Sequence, residues 1–380
     1  MKKIIALLLI IATVFALAAC KKNKETVYEP VESTAEEART VMTLSIDGKK
    51  YDVRYELYRA FFLTYKSEVD GGDASVWTGE TKAAYIAEID EMIIERVTEI
   101  YAAFALCARI GFDIYSDDVE DKIKENIRIS VEGGSYGSST ITGYGSYDEY
   151  LAALKASGLN YSVQVLLFRY AIAIDAIDTY YIGTASSDDV DINLSKGAIE
   201  YTRADVESFY YSDNCVRVLR TSIQKAISYT PYEKAMTVKM ALENAADSKT
   251  TLEDKELAVT NAIMGNGLYA NAAEIKNGYV IGRYNLERSY YGEMTDAALA
   301  LNEGEVSYPV EVVTDVENSY YVLYRTNKTA AHFEANYNSI RYIYLMNCVG
   351  EILHGVGTEL KSSVSYTDYL NAIDHSKICM

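Results

Sequence analysis

The sequence predicts an α+β protein in which helices predominate. Helical patterns follow one another without interruption from Thr81 to Tyr181, with no alternation of strand and helix and no glycine-rich phosphate loop. Later in the chain, the strand patterns Val306 to Val313 and Tyr320 to Tyr324 lie on either side of a turn at Asp315 to Asn318. The chain has 380 residues, enough for two domains with a core each. We therefore expect a helical domain and a smaller domain with an antiparallel sheet and helices.

The first residues predict export and a lipid anchor. Residues 1–19 read as a signal peptide, with basic residues at Lys2 and Lys3, an apolar run from Ile4 to Leu17, and small residues before Cys20. Cys20 in this position resembles the lipobox of bacterial lipoproteins. The resemblance implies an acylated thiol and a protein held at the extracytoplasmic face of the cell membrane. Acyl chains anchor a protein at about 0.8 kcal/mol for each buried CH₂, without a transmembrane helix. The alternative is an ordinary secretory signal with a chance cysteine.

Charge excludes one class of partner. The formal net charge is −19, and removal of the signal peptide takes away two lysines and no acids, so the mature chain carries −21. A strongly acidic protein is repelled by nucleic acid and by anionic lipid headgroups. We therefore expect no nucleic-acid partner and no attraction to the bilayer beyond the anchor at Cys20.

Cysteine and histidine offer no metal or catalytic motif. Four cysteines remain after processing, at spacings that fit no metal site, and the sequence leaves any disulfide pairing among them open: Cys107, Cys215, Cys348 and Cys379. His332, His354 and His375 all follow residue 330 and lack an acid or cysteine at ligand spacing. We expect these histidines to be isolated surface residues, and we predict no cofactor.

The elements of the first half can be assigned in order. Residues 20–40 are polar and acidic and predict a flexible tether. Two short strands are predicted around a turn at Gly48, from Val41 to Asp47 and from Tyr51 to Val53, followed by a helix from Tyr55 to Lys66. The longest helix is expected from Thr81 to Ile110. Its apolar stripe steps by three and four residues: Ile86, Ile89, Ile93, Val97, Ile100 and Phe104.

Three further helices complete this region. The first begins after Ser116, and a glycine- and serine-rich loop from Glu132 to Gly145 follows it. Ser146 and Glu149 form a capping-box pattern that opens the next helix, and Asn160 precedes the last one.

This order of elements resembles the N-terminal domain of the PrsA/SurA family of extracytoplasmic foldases. The likeness rests on the opening Ile-Asp-Gly-Lys hairpin, the helix end at Ala108 to Phe112, and the Ser-Asp-Asp-Val-Glu helix start. It continues through Tyr147 to Leu151 and into Thr202 to Tyr211. In this family the C-terminal helix packs back on the N-terminal domain. The resemblance implies a helical chaperone domain from residues 41–200 and 329–380, with a second domain inserted at 201–328.

The inserted region resembles a parvulin-type peptidyl-prolyl isomerase. Its predicted parts are a strand from Cys215 to Ile223, helices from Tyr232 to Ala246 and from Leu252 to Met264, and a turn at Gly278 to Arg283. The two strands predicted from Val306 to Val313 and from Tyr320 to Tyr324 complete the parvulin-like pattern. A further helix is predicted from Ala330 to Leu360.

The parvulin resemblance also locates the expected chemistry. Parvulins lower the isomerisation barrier, which is about 18–20 kcal/mol, with two histidines and a proline pocket. Val216 to Ile223 places Arg220 at the first histidine, and Ser319 to Val322 places Tyr321 at the second. Met294 is open to two interpretations, as the pocket methionine or as a core residue. We expect no catalytic residue, and a parvulin fold that binds polypeptide or acts as a spacer.

Together, these sequence features predict a membrane-anchored chaperone or foldase that acts on unfolded or secreted polypeptides. One alternative is an active peptidyl-prolyl isomerase, in which Arg220 and Tyr321 polarise a carbonyl group. A second alternative is a solute-binding lipoprotein, although such proteins are α/β and the long helical run argues against this class.

Overall fold

The computed structural model describes residues 28–70, 74–77, 80–136, 139–183, 197–265, 278–284, 288–313, 318–375 and 378. The described residues form two compact units: those within Met1–Ile177 and Leu353–Met380 make up unit 1, and those within Asp178–Ile352 make up unit 2. Within the described ranges, no helix combines the length and the apolar character needed to span a bilayer. The predicted signal peptide, residues 1–19, and Cys20 lie outside the described residues.

Helices predominate, as predicted. The helices are α1 (Tyr55–Asp70), α2 (Lys82–Arg109), α3 (Asp117–Glu132), α4 (Tyr147–Ala156), α5 (Tyr161–Tyr181), α6 (Arg203–Tyr211), α7 (Pro231–Asp247), α8 (Leu252–Gly265), α9 (Arg288–Ala300), α10 (Ala330–Ala335), α11 (Tyr337–Ser362) and α12 (Asp368–Ala372). The strands are β1 (Thr40–Ile46), β2 (Lys49–Arg54), β3 (Gly134–Tyr136), β4 (Ser139–Ile141), β5 (Cys215–Gln224), β6 (Tyr279–Gly282), β7 (Val310–Val313), β8 (Asn318–Thr326) and β9 (Ser365–Tyr366). The chain is therefore α+β.

Unit 1 contains a three-stranded antiparallel sheet in the order β2-β1-β9. Asp47 and Gly48 connect β1 to β2 with φ angles of 53° and 73°, which is the left-handed region that a tight hairpin turn requires. On its other side, β1 pairs with β9, where Met42 lies opposite Tyr366. The sheet thus joins segments from the two ends of the chain.

Helix α2 confirms the predicted apolar stripe. Ile89, Ile93, Val97, Ile100 and Phe104 are fully buried, whereas Ile86 is half-buried. Since these side chains lie on one face of a helix, they bury it against the core of unit 1.

Several predicted boundaries were wrong. The loop predicted from Glu132 to Gly145 contains the hairpin β3–β4. The strand predicted from Val306 begins at Val310, because Pro309 lacks a backbone N–H, and Val306 makes an isolated bridge with Tyr324. Residues 314–317 of the predicted turn lie outside the described residues.

The helix predicted from Ala330 to Leu360 is instead two helices. Asn336 separates α10 from α11 with a non-helical φ of −122°. Its side-chain amide donates to the carbonyl of His332 at 2.9 Å, which satisfies the end of α10.

The segment from Tyr28 to Arg39, predicted to be a flexible tether, packs against unit 1. The ring centroids of Tyr28 and Tyr147 lie 4.9 Å apart, and the hydroxyl of Ser33 donates to Glu56. The polar composition that suggested flexibility supplies these contacts instead.

Unit 2 is built around an antiparallel sheet in the order β6-β5-β8-β7. Alternation along β5 and β8 separates two apolar clusters, as predicted for Tyr320 to Tyr324. One face packs on α7 and α8 through Leu219, Val322 and Tyr324. The opposite face packs on α9 through residues including Val218, Tyr321 and Leu323. All described strand pairs are antiparallel, unlike the parallel sheets of α/β proteins.

A buried ion pair fixes α8 to the sheet. Arg217 is 4% exposed, and its guanidinium donates to the two carboxylate oxygens of Glu256 at 2.6 and 3.1 Å and to the carbonyl of Asn327 at 3.1 Å. Thr326 donates its hydroxyl to the same carboxylate. Two strands and one helix therefore share one polar network.

We predict that Glu256→Ala lowers the free energy of unfolding by about 3 kcal/mol, because it leaves the Arg217 charge buried without its carboxylate. Urea unfolding of the purified chain measures this change. Glu253→Ala, at an exposed position of the same helix, is the control and changes stability by less than about 1 kcal/mol. Equal losses in the two variants would contradict the role of the pair.

Candidate functional site

Arg220 lies at the centre of a polar and aromatic cluster on the α9 side of the unit 2 sheet. Its guanidinium carbon is 3.8 Å from the ring centroid of Tyr279 and 5.7 Å from that of Tyr321. A guanidinium nitrogen lies 4.0 Å from the sulfur of Met294. We call these four residues the Arg220 cluster. They come from the adjacent strands β6, β5 and β8 and from α9, which packs on the same face of the sheet.

Strand register explains how the cluster forms. Arg220 is opposite Leu323, and Tyr321 is opposite Ser222, so Arg220 and Tyr321 are diagonal neighbours on the same face. On the other side of β5, Tyr279 is opposite Val218, two residues from Arg220. Arg220 thus reaches across β5 toward aromatic rings on both neighbouring strands.

The cluster places the permanent charge of Arg220 next to side chains that are mostly buried. Arg220 is half-buried, Tyr321 is 6% exposed and Met294 is 1% exposed. A cation over an aromatic ring gains about 0.5–2 kcal/mol, with more at desolvated sites. A guanidinium stays protonated in proteins, so Arg220 donates hydrogen bonds and cannot serve as a general base. This arrangement is suited to holding a carbonyl or carboxylate group rather than to transferring a proton.

The structure brings together the two residues identified from the sequence. Arg220 and Tyr321 share one face and lie within cation–π range of one another. Met294 contacts Arg220 and belongs to the buried cluster around Val218 and Leu323, as expected of a core residue. Its role as a pocket methionine stays a prediction.

Tyr279 was not singled out from the sequence. The sequence predicts a turn from Gly278 to Arg283, whereas Tyr279 to Gly282 form the strand β6. A tyrosine just after a glycine carries no signal of its own. Only the pairing of β6 with β5, about sixty residues earlier, reveals its place beside Arg220.

Two histidines contradict the expectation of isolated surface residues. His332 is buried, and its Nδ1 lies 2.9 Å from the hydroxyl oxygen of Tyr210. Nε2 of His375 lies 2.9 Å from the hydroxyl oxygen of Tyr58. His354 is exposed, as predicted. Each of these two histidines contacts a tyrosine that is more than 100 residues away in the sequence.

The His375 contact belongs to a polar cluster in unit 1. Tyr58 donates its hydroxyl to Asp90 at 2.6 Å, and the ring centroids of His375 and Phe62 lie 5.3 Å apart. Burial lowers the pKa of His375, as does the positive charge of Lys82. Burial also raises the pKa of Asp90, although the hydrogen bond from Tyr58 opposes this. The C-terminal segment is therefore attached through a histidine that favours its neutral form.

The described cysteines are free thiols. Cys107 and Cys215 are buried, and burial raises the pKa of each to about 12. Cys348 is half-buried and also free. Cys379 lies outside the described residues. Within the described ranges, no group of three or more His, Cys, Asp or Glu residues could hold a metal ion.

We predict that His375 makes unit 1 less stable as the pH falls. Because its pKa is lower in the folded state, the unfolded chain binds the proton more readily. The stabilising contribution is therefore complete above the ordinary pKa of about 6.5 and is lost as the pH falls toward the lowered value. Thermal unfolding between pH 8 and pH 5 measures this effect.

The matched variant for this prediction is His375→Gln, which removes the titration and leaves Asp90 in place. The unfolding temperature of the variant should fall less steeply with acidification than that of the original chain. Identical slopes would show that His375 does not contribute.

No family model matches the chain, and no curated protein matches it. Among solved structures, it is similar to the foldase protein PrsA from Lactococcus lactis, with 16% identity, 90% of this chain and 99% of that chain covered, and a TM-score of 0.23. It is also similar to the foldase protein PrsA from Streptococcus pneumoniae, with 13% identity, 84% and 92% covered, and a TM-score of 0.21. These TM-scores are too low to support an argument from either structure.

Proposed function

We propose that the chain is an extracytoplasmic chaperone or foldase that assists the folding of secreted polypeptides. The observation that carries the proposal is the surface display of tyrosine. Among the described residues, eight of the twelve exposed large apolar side chains are tyrosines. Tyrosine offers a rigid amphipathic ring with little rotamer entropy, which suits weak contacts with many different sequences.

Unit 2 presents several of these rings on the α7 side of its sheet, opposite the face that carries the Arg220 cluster. Tyr229 is fully exposed and Tyr308 is 70% exposed. Tyr232 lies edge-on to Tyr320, with ring centroids 5.5 Å apart. Such rings shield apolar segments of an unfolded client for short periods without burying enough surface to hold it tightly. The net negative charge favours neutral or basic clients and keeps their complexes soluble.

The finer assignments also belong to this proposal. We assign residues 41–200 and 329–380 to the chaperone domain and residues 201–328 to a parvulin-like module. Acylation of Cys20 would attach the protein to the outer face of the cell membrane. In the module, Arg220 and Tyr321 take the positions of the two parvulin histidines, so the proposed role is binding with impaired catalysis.

We predict that the mature chain suppresses the aggregation of a reduced, unfolded client protein, measured by light scattering. Tyr229→Ser combined with Tyr308→Ser should weaken this effect, because each aromatic contact is worth about 0.5–1.5 kcal/mol, or roughly a two- to tenfold change in binding. Leu257→Ser, at an exposed apolar position of the same unit, is the matched control. Absence of suppression at several-fold excess of the chain would overturn the proposal.

An active isomerase is the second candidate, and the Arg220 cluster is the observation that favours it. A guanidinium held near an apolar methionine has the means to polarise a prolyl carbonyl. Uncatalysed isomerisation takes about 10–100 s at 25 °C, so a protease-coupled proline-peptide assay detects modest acceleration.

For the isomerase assay we expect no acceleration by the original chain. Catalysis that is lost in Arg220→Ala or Tyr321→Ala would replace the binding proposal for this module with an enzymatic one.

A further inference from the structure

The segment from Tyr28 to Arg39, which we call the strap, is attached to unit 1 at its first residues. The hydroxyl of Tyr28 donates to the carboxylate of Glu132 at 2.9 Å, at the end of α3. The hydroxyl of Tyr147 donates to the carbonyl of Glu29 at 2.7 Å. With the ring contact between Tyr28 and Tyr147, these bonds fix the beginning of the strap beside the start of α4.

A second attachment lies in the middle of the strap. The hydroxyl oxygens of Ser33 and Ser162 are 2.8 Å apart, and Ser33 also donates to the carboxylate of Glu56. Glu56 is 7% exposed, and Asn160 donates to the same carboxylate at 2.7 Å. Because a buried carboxylate needs hydrogen-bond donors, loss of the strap would leave Glu56 less well satisfied.

The strap is also fixed at its end. The backbone N–H of Tyr55 donates to the carbonyl of Arg39 at 2.7 Å, and that of Glu56 donates to the carbonyl of Glu37 at 3.1 Å. Thr34 and Glu37 exchange hydrogen bonds that close a turn between the attachments. The strap is therefore held at its start, middle and end.

We infer that the strap holds unit 1 close to the bilayer, with the surface around Tyr28 and Tyr147 toward the membrane. The inference rests on the proposed acylation of Cys20. Eight Cα–Cα steps separate Cys20 from Tyr28, and whatever conformation they adopt, they span at most about 29 Å. If the attachments at the start and middle were lost, seventeen steps would separate Cys20 from Glu37, whose carbonyl stays bonded to the backbone of α1, and would span up to about 61 Å.

The partner of this surface is the lipid bilayer, reached through the anchor and not through charge. The strap carries four glutamates, at Glu29, Glu32, Glu36 and Glu37. Anionic headgroups would repel them. The attachments at Tyr28 and Ser33 therefore set the distance between membrane and unit 1, which leaves clients a shallow space beside the membrane.

Energy transfer in vesicles tests this inference with the full, acylated chain. A donor dye is placed at Asp148→Cys, next to Tyr147, in a background with Cys348→Ser and Cys379→Ser, and the acceptor is a labelled headgroup in phosphatidylcholine vesicles. We expect strong transfer in this chain and a clear loss of transfer when Tyr28→Ala, Ser33→Ala and Tyr147→Phe remove the side-chain attachments at the start and middle of the strap. Cleavage by a glutamyl endoprotease after Glu32 should also become faster.

Thr358→Ala is the matched control, because Thr358 is exposed in unit 1 and its hydroxyl bonds to its own helix at His354. It should leave both readouts unchanged. Flotation of the vesicles distinguishes the proposed acylation of Cys20 from the proposed role of the strap. If the chain floats and Cys20→Ala does not, but release of the strap changes neither transfer nor cleavage, the strap inference is wrong and the anchor stands. If the original chain fails to float, both are wrong.

Discussion

The pairing of β5 with both β6 and β8 is the constraint on which unit 2 depends. β5 is paired along both of its edges, and helices pack on both faces of the sheet, so its side chains alternate between two environments. Arg217 and Arg220 are three residues apart and so lie on opposite faces. Arg217 is used in a buried ion pair with Glu256, whereas Arg220 lies among aromatic rings. One strand thereby supplies both a structural charge and a candidate binding charge.

Much of this arrangement was predictable from residue patterns. The alternation of Tyr320 to Tyr324 and the stripe of α2 were correct, because local periodicity specifies which face is buried. Tyr279 was missed because its position depends on a strand pairing across many residues. The tyrosine contacts of His332 and His375 were missed for the same reason, since Tyr210 and Tyr58 lie far away in the sequence.

Unit 1 shows how segments near both ends of the described chain attach to one folded unit. β9 extends the sheet that β1 and β2 form, and the strap adds the residues that precede β1. Arg109, at the end of α2, contacts Asp47 in the β1–β2 turn and Glu359 in α11. The polar sequence of the strap suggested flexibility, but hydrogen-bonding side chains stabilise a defined position when partners such as Glu56 and Ser162 are available.

We propose that the client polypeptide contacts the Arg220 side of the unit 2 sheet in addition to the exposed tyrosines on the α7 side. NMR of arginine side-chain N–H groups during titration with a reduced, unfolded polypeptide tests it most directly. The account predicts that the Arg220 signal shifts while the signal of Arg217, buried on the other face, stays in place. Binding of the polypeptide without any change at Arg220 would contradict the claim.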